Sequence, residues 1–212
     1  MTSLSRRAFV TASAAALLTG CGGGNGTAPV TNSAAKQGSS EQGSSTPASP
    51  PAAAKPVHAL ARSAPVTLRV PAIGVDTPVM RLGLASDGTV QVPPITAHDR
   101  AGWYRYSPTP GATGPSVILG HVTVGAYGDG VFRHLARLRA GNRIDVVLEN
   151  GTTAVFAVTS VRTVAKADFP SDDVYGNVDR PELRLITCGG TRTGSGYLDN
   201  VIVFAVLTDA SP

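Results

Sequence analysis

Leu183-Arg184-Leu185-Ile186-Thr187-Cys188-Gly189-Gly190 is the stretch on which the reading of this chain turns. Leu183, Leu185 and Ile186 give it the apolar, strand-favouring character of a buried strand. The strand ends on a cysteine and meets two glycines at once. Gly189 and Gly190 are expected to stop the strand and let other backbone approach the sulfur. A lone cysteine is most often a small buried hydrophobe. Against that stands its position, at a strand end beside an open glycine turn, where a substrate can reach it.

The rest of the chain makes this thiol harder to dismiss. There are two cysteines in 212 residues, and the other, Cys21, closes the N-terminal leader. Arg6 and Arg7 precede an apolar run, Ala8–Gly20, which is too short to span a bilayer, a task for about 20 residues. Residues 1–21 therefore read as an export signal. Ser5-Arg6-Arg7-Ala8-Phe9-Val10 resembles a twin-arginine signal, and Leu18-Thr19-Gly20-Cys21 resembles a bacterial lipobox. The competing reading is a plain secretory signal with an incidental cysteine. A lipid on Cys21 removes it as a disulfide partner and leaves Cys188 unpaired in an exported protein.

Residues 22–64 are rich in Gly, Ser, Ala, Thr, Gln and Pro and read as a disordered linker. About 40 flexible residues reach roughly 30 to 40 Å, enough to hold a domain above a membrane. Charge follows the same division. Residues 66–208 hold 13 basic and 12 acidic side chains, a net of +1, whereas residues 1–65 hold five basic residues and Glu41 alone as acid. The basicity belongs to the leader and linker, which argues against a nucleic-acid-binding face on the domain.

Residues 65–208 alternate short strands with turns. Val66–Val70 and Val90–Val92 read as strands, as do Trp103–Tyr106, Ser116–Val122, Arg143–Leu148, Thr153–Val164 and Asn200–Leu207. Asn150-Gly151 is a favoured hairpin turn. Val131, Phe132, Leu135 and Leu138 have the spacing of a short helix. Such a mainly β pattern with one or two short helices predicts a closed barrel or a sandwich. One further element carries chemistry. Gly120-His121 interrupts an apolar strand, and imidazole beside a thiol generates thiolate, the real nucleophile. His98, in a loop, and His134, on the polar side of the short helix, fit that role less well.

Several ordered pieces resemble the sortase family, most of all the class F sortases of actinobacteria. They include Val70-Pro71-Ala72-Ile73-Gly74-Val75, Gly102-Trp103-Tyr104, Pro115–Val122, Val131-Phe132, Leu138–Asn142, Phe169-Pro170, Val174-Tyr175-Gly176, Leu183–Gly190 and Tyr197-Leu198-Asp199-Asn200. The resemblance implies a closed eight-stranded barrel. It implies a cysteine transpeptidase that cuts a Leu-Pro-x-Thr-Gly-like sorting signal between Thr and Gly and passes the acyl group to an amine on the cell wall or another protein. Its partners would be sorting-signal-bearing secreted proteins and an amine acceptor in peptidoglycan or protein. The enzyme would be a monomer without cofactor or metal, held by Cys21 to the outer face of the cytoplasmic membrane in the cell-wall space.

By position, Cys188 matches the family nucleophile and His121 its general acid/base. The family's third residue is an arginine that steadies substrate and oxyanion. Many class F members carry it directly after the tyrosine of the Tyr-x-Asp-Asn segment, where this chain has Leu198. Arg192 is the nearest substitute; Arg184 has strand parity with Cys188 but stands about 13 Å along the strand. Thr187 and Gly189 flank the thiol and would support the oxyanion, while Asp199 or Asn200 would orient His121 or support the site. The missing arginine also motivates a different class of function, an inactive sortase-barrel lipoprotein acting as a binding module. A cell-wall transpeptidase of the L,D type would need a Ser-His-Gly-Cys string, which is absent.

Overall fold

The computed structural model describes residues 57–194 and 196–212. The stretch read as an export signal, with Cys21, and the stretch read as linker up to residue 56 lie outside the described residues. Eight strands form the fold: β1 (Pro65–Val70), β2 (Val75–Leu82), β3 (Ala101–Tyr104), β4 (Gly114–Leu119), β5 (Arg143–Leu148), β6 (Thr153–Ala165), β7 (Pro181–Thr193) and β8 (Gly196–Ser211). They close into a barrel in the order β1-β2-β3-β4-β7-β8-β6-β5, with β5 pairing back to β1. Two neighbouring pairs, β2–β3 and β4–β7, are parallel. The eight-stranded closed barrel is the architecture that the sequence resemblance implied.

Alternation divides each strand between two apolar layers. Inside the barrel lie Leu68, Trp103, Ile118, Ile144, Phe156, Leu183, Leu185 and Val203, all buried. The outer face of β4, β7 and β8 carries Val117, Ile186, Ile202 and Phe204, which pack against Val174 of α1 (Ser171–Tyr175). This helix falls in a stretch that reads as a polar loop. One apolar residue in five, Val174, is enough to seat it on the barrel.

Four local readings are corrected. Residues 131–138 form turns and a 3-10 segment, Leu135–Arg137, in place of a regular helix. Phe132, Leu135 and Leu138 are nevertheless fully buried, so the spacing reported packing and not helix type. Val90–Val92 is not a strand; only an isolated Leu84–Val90 bridge forms there. The glycines after Cys188 do not end β7. They take up a register shift between Gly189 and Arg192, with Gly190 at φ 71°, and the strand continues to Thr193. Finally, residues 57–64, at the end of the stretch read as linker, lie on the barrel. Leu60 donates its amide to Gly111 O at 2.8 Å, and its side chain occupies the space a Cβ at Gly111 would fill.

Arg184 is the buried charge of the outer layer. It pairs with Glu182 at 2.6 Å, donates to Asp173 O of α1 at 3.2 Å and lies 4.6 Å from the Phe204 ring centroid. Burial pushes the Glu182 carboxyl up, but hydrogen bonds from Arg184 and Arg180 outweigh it, so its pKa lies below the ordinary value. The stabilisation this gives is complete above the unfolded-state value near 4.5 and is lost as pH falls through the lower folded-state value. Arg184→Ala should therefore destabilise the domain by about 3 kcal/mol at neutral pH, because it strips the buried partner from Glu182 and the links to Asp173 O and Phe204, leaving only Arg180 on the carboxylate. Denaturant melts across pH 3 to 7 check this. The gap between wild type and Arg184→Ala should narrow towards the acid end.

Candidate active site

The parallel pairing of β4 with β7 runs from Gly114–Pro181 to Leu119–Ile186, and Gly120 N–H then donates to Ile186 O at 3.1 Å. Past this ladder the two chains reach the same rim, and the register carried on by two residues would bring His121 level with Cys188. Both fall on the outer face, continuing Val117 and Leu119 on β4 and Ile186 on β7. Both are half-buried, and Cys188 is a free thiol. On the far side of Cys188, Asn200 of β8 is its direct cross-strand partner, and Val164 of β6 pairs with Asn200. One row across four strands thus reads His121, Cys188, Asn200, Val164. Apolar side chains lead up to it, with Tyr104, Leu119, Val164 and Phe169 half-buried around Val117, Ile186 and Ile202.

Glycines hold this rim in shape. A Cβ on Gly120 would come within 2.6 Å of the Phe132 ring, and one on Gly189 within 2.6 Å of Val201 Cγ2. One on Gly190 would collide with the Asp199 carboxylate. His121 O accepts the Phe132 amide at 2.9 Å, which fixes the backbone below the imidazole.

The remaining sequence-identified residues fall as follows. Thr187 has the opposite parity to Cys188; its hydroxyl is buried and has no hydrogen-bond partner among the described residues. Asp199 pairs with Gly189 and its carboxylate lies over Gly190. Arg192 is exposed beyond the register shift, with its guanidinium carbon 5.9 Å from the Tyr197 ring centroid. Tyr197 in turn brings its hydroxyl within 3.4 Å of Thr123 Oγ1, two residues past His121. Arg184, buried and fully engaged, belongs to the outer core.

The partner of His121 escapes sequence reasoning. It is neither Asp199 nor Asn200 but the backbone carbonyl of Pro93, 2.6 Å from Nε2. The segment between β2 and β3 that carries Pro93 is also tied down by His98, which stacks on Tyr127 at 4.6 Å. A carbonyl identifies no residue type, so the only signal was the Pro93-Pro94 pair itself. Because a carbonyl can only accept, the contact requires the proton on Nε2 and leaves Nδ1 as the basic nitrogen. Nitrogen-15 NMR of neutral His121 should show the Nε2–H tautomer; Nδ1–H would show that the Pro93 contact does not form in solution.

A half-buried thiol and an imidazole at one rim of a closed barrel define a candidate thiol acyl-transfer site. Among the described residues no group of three or more His, Cys, Asp or Glu is placed to hold a metal ion. The sortase-domain family matches residues 68–208, and the chain belongs to the sortase family, whose members are cysteine transpeptidases acting on sorting signals and amine acceptors. A search of the curated proteins finds no match. Among solved structures, SrtA sortase from Actinomyces oris is 25% identical with a TM-score of 0.51, covering 76% of this chain and 89% of its own. Sortase C-1 from Actinomyces oris is 20% identical with a TM-score of 0.53, covering 68% of this chain and 73% of its own. Sortase A from Listeria monocytogenes is 19% identical with a TM-score of 0.52, covering 70% of this chain and 90% of its own.

Proposed function

We propose that this chain is an active sortase of the class F type, with Cys188 as nucleophile and His121 as general acid/base. The observation that supports the reading is the parallel β4–β7 register, which brings the ends of both strands, and so the residues that follow them, to one rim. The thiolate of Cys188 attacks the Thr carbonyl of a Leu-Pro-x-Thr-Gly-like signal. The Thr–Gly bond breaks, and the imidazolium of His121 gives the leaving amine its proton. The resulting thioester is attacked by an acceptor amine, whose proton returns to His121 as the thiolate leaves. The apolar face below the pair suits the extended acyl-side peptide.

Arg192 is the proposed oxyanion donor, helped by backbone near Gly189. Asn200, directly across from Cys188, supports the site, as do Thr187 and Asp199 through the β7–β8 pairing. The leader supports export and lipidation at Cys21, which would hold a monomeric enzyme at the outer face of the cytoplasmic membrane. A second reading, the inactive binding module, is favoured by one observation: β8 carries no arginine from Gly196 to Ser211, and Arg192 lies against Tyr197.

Intact-protein mass after incubation with a sorting-signal peptide and no amine acceptor separates the two readings. Wild type should gain the acyl fragment and Cys188→Ala should not. Arg192→Ala should acquire it about 10²-fold more slowly, as on losing one oxyanion donor. An adduct that persists in Cys188→Ala would place the nucleophile elsewhere. No adduct with any plausible signal would favour the binding module.

The anchor is tested separately. Mass spectrometry of the mature N-terminus should find a lipid-modified Cys21; an unmodified terminus at another position would remove the anchor from the proposal.

A further inference from the structure

β3 runs antiparallel to β4, so the end of β3 and the start of β4 lie at the pole of the barrel opposite His121 and Cys188. At that pole β2 and β3 give way to charge. Val79 and Trp103 pack against the core, and two residues further on stand the exposed Arg81, near the end of β2, and Arg105, just past β3. They open on a cavity of about 690 Å³, of the size that takes a small ligand, with Trp103 among its walls. Arg62–Ala64, just ahead of β1, close one side, and Glu149 closes another.

Three arginines here face one carboxylate, although residues 66–208 are nearly neutral. Glu149 is taken up by Arg81 at 2.5 Å. Among the described residues the Arg105 side chain hydrogen-bonds Tyr106, donating to its hydroxyl at 2.8 Å, and meets no carboxylate, and Arg62 makes no hydrogen bond or ion pair. Two guanidinium forks are left without an anion. Thr109, also on the cavity wall, is buried to 2% exposure, and its hydroxyl has no hydrogen-bond partner among the described residues. A lining of net charge +2 with two open forks suits a phosphate, which accepts several donors at once and takes arginine bidentately.

We infer that this mouth of the barrel, formed by Arg62, Arg81 and Arg105 over Trp103, is a binding site for a phosphate-bearing anion. Arg62–Ala64 lead into β1 on this side. Two sources share the chemistry: a soluble phosphate ester and the headgroup of an anionic phospholipid.

Trp103 is the one tryptophan of the chain and serves as the reporter. The full chain in neutral detergent is titrated with glycerol phosphate, against acetate at matched ionic strength, and Trp103 emission is followed. In a second arm the full chain is floated with vesicles of phosphatidylglycerol and phosphatidylcholine, and with phosphatidylcholine alone. Reading the difference between the two vesicles cancels any contribution from a lipid on Cys21. A saturable response to glycerol phosphate assigns the soluble ester; enhanced flotation on phosphatidylglycerol alone assigns the headgroup. In either case Arg62→Gln/Arg105→Gln should weaken binding by about tenfold or more, and Arg69→Gln, elsewhere on the surface, should leave it unchanged. Arg62→Glu, ahead of the first strand, should act in the same direction without altering the barrel. No response in either arm, an equal response to acetate, or wild-type binding by the double variant and Arg62→Glu would overturn the site. Neither arm uses turnover, so the outcome is independent of the transpeptidase reading.

Discussion

Everything at the candidate active site depends on one hydrogen-bonded ladder, the parallel pairing of β4 with β7. Parallel neighbours end at the same rim, so the residues that follow them meet there. Gly120 N–H to Ile186 O is the last bond of that ladder, and His121 and Cys188 are the next residues out. Had the two strands been antiparallel, the imidazole and the thiol would stand at opposite poles. The chain between them, with β5, β6 and α1, is what a parallel crossover requires.

The two faces of the central strands have separate duties. Inward residues of β4 and β7 fill the barrel with Ile118, Leu183 and Leu185. Outward residues build a second apolar layer that ends at Cys188, and Arg184 stitches that layer to α1 through Glu182, Asp173 and Phe204. The site therefore rests on a rigid sheet. The Pro93 segment comes from outside the sheet and meets His121 through a backbone carbonyl, while the β7–β8 hairpin carries Arg192 past the register shift.

The same alternation that builds the core also shapes both ends of the barrel. At one rim it delivers a thiol and an imidazole. At the other stand the exposed Arg81 and Arg105, where continued apolar residues would have closed the mouth. Such charge is tolerated because the barrel opens to solvent there.

Most of the barrel's strands, among them the one that carries the candidate thiol, were legible in the chain itself. Alternation, turn dipeptides and an isolated Thr-Cys-Gly-Gly are local signals, and local signals survive in one dimension. Helix type at residues 131–138, the short helix at 171–175 and the continuation of β7 past Gly190 were not legible, because each is set by what packs against it. Fully buried Phe132, Leu135 and Leu138 read as helical although their backbone makes turns. Tertiary structure alone decided that Asn200 faces Cys188, that Asp199 covers Gly190 and that Pro93 O meets His121. These are cross-strand and backbone contacts between residues far apart in the chain. A carbonyl is the same at every position, so only the folded register could select which one holds the imidazole.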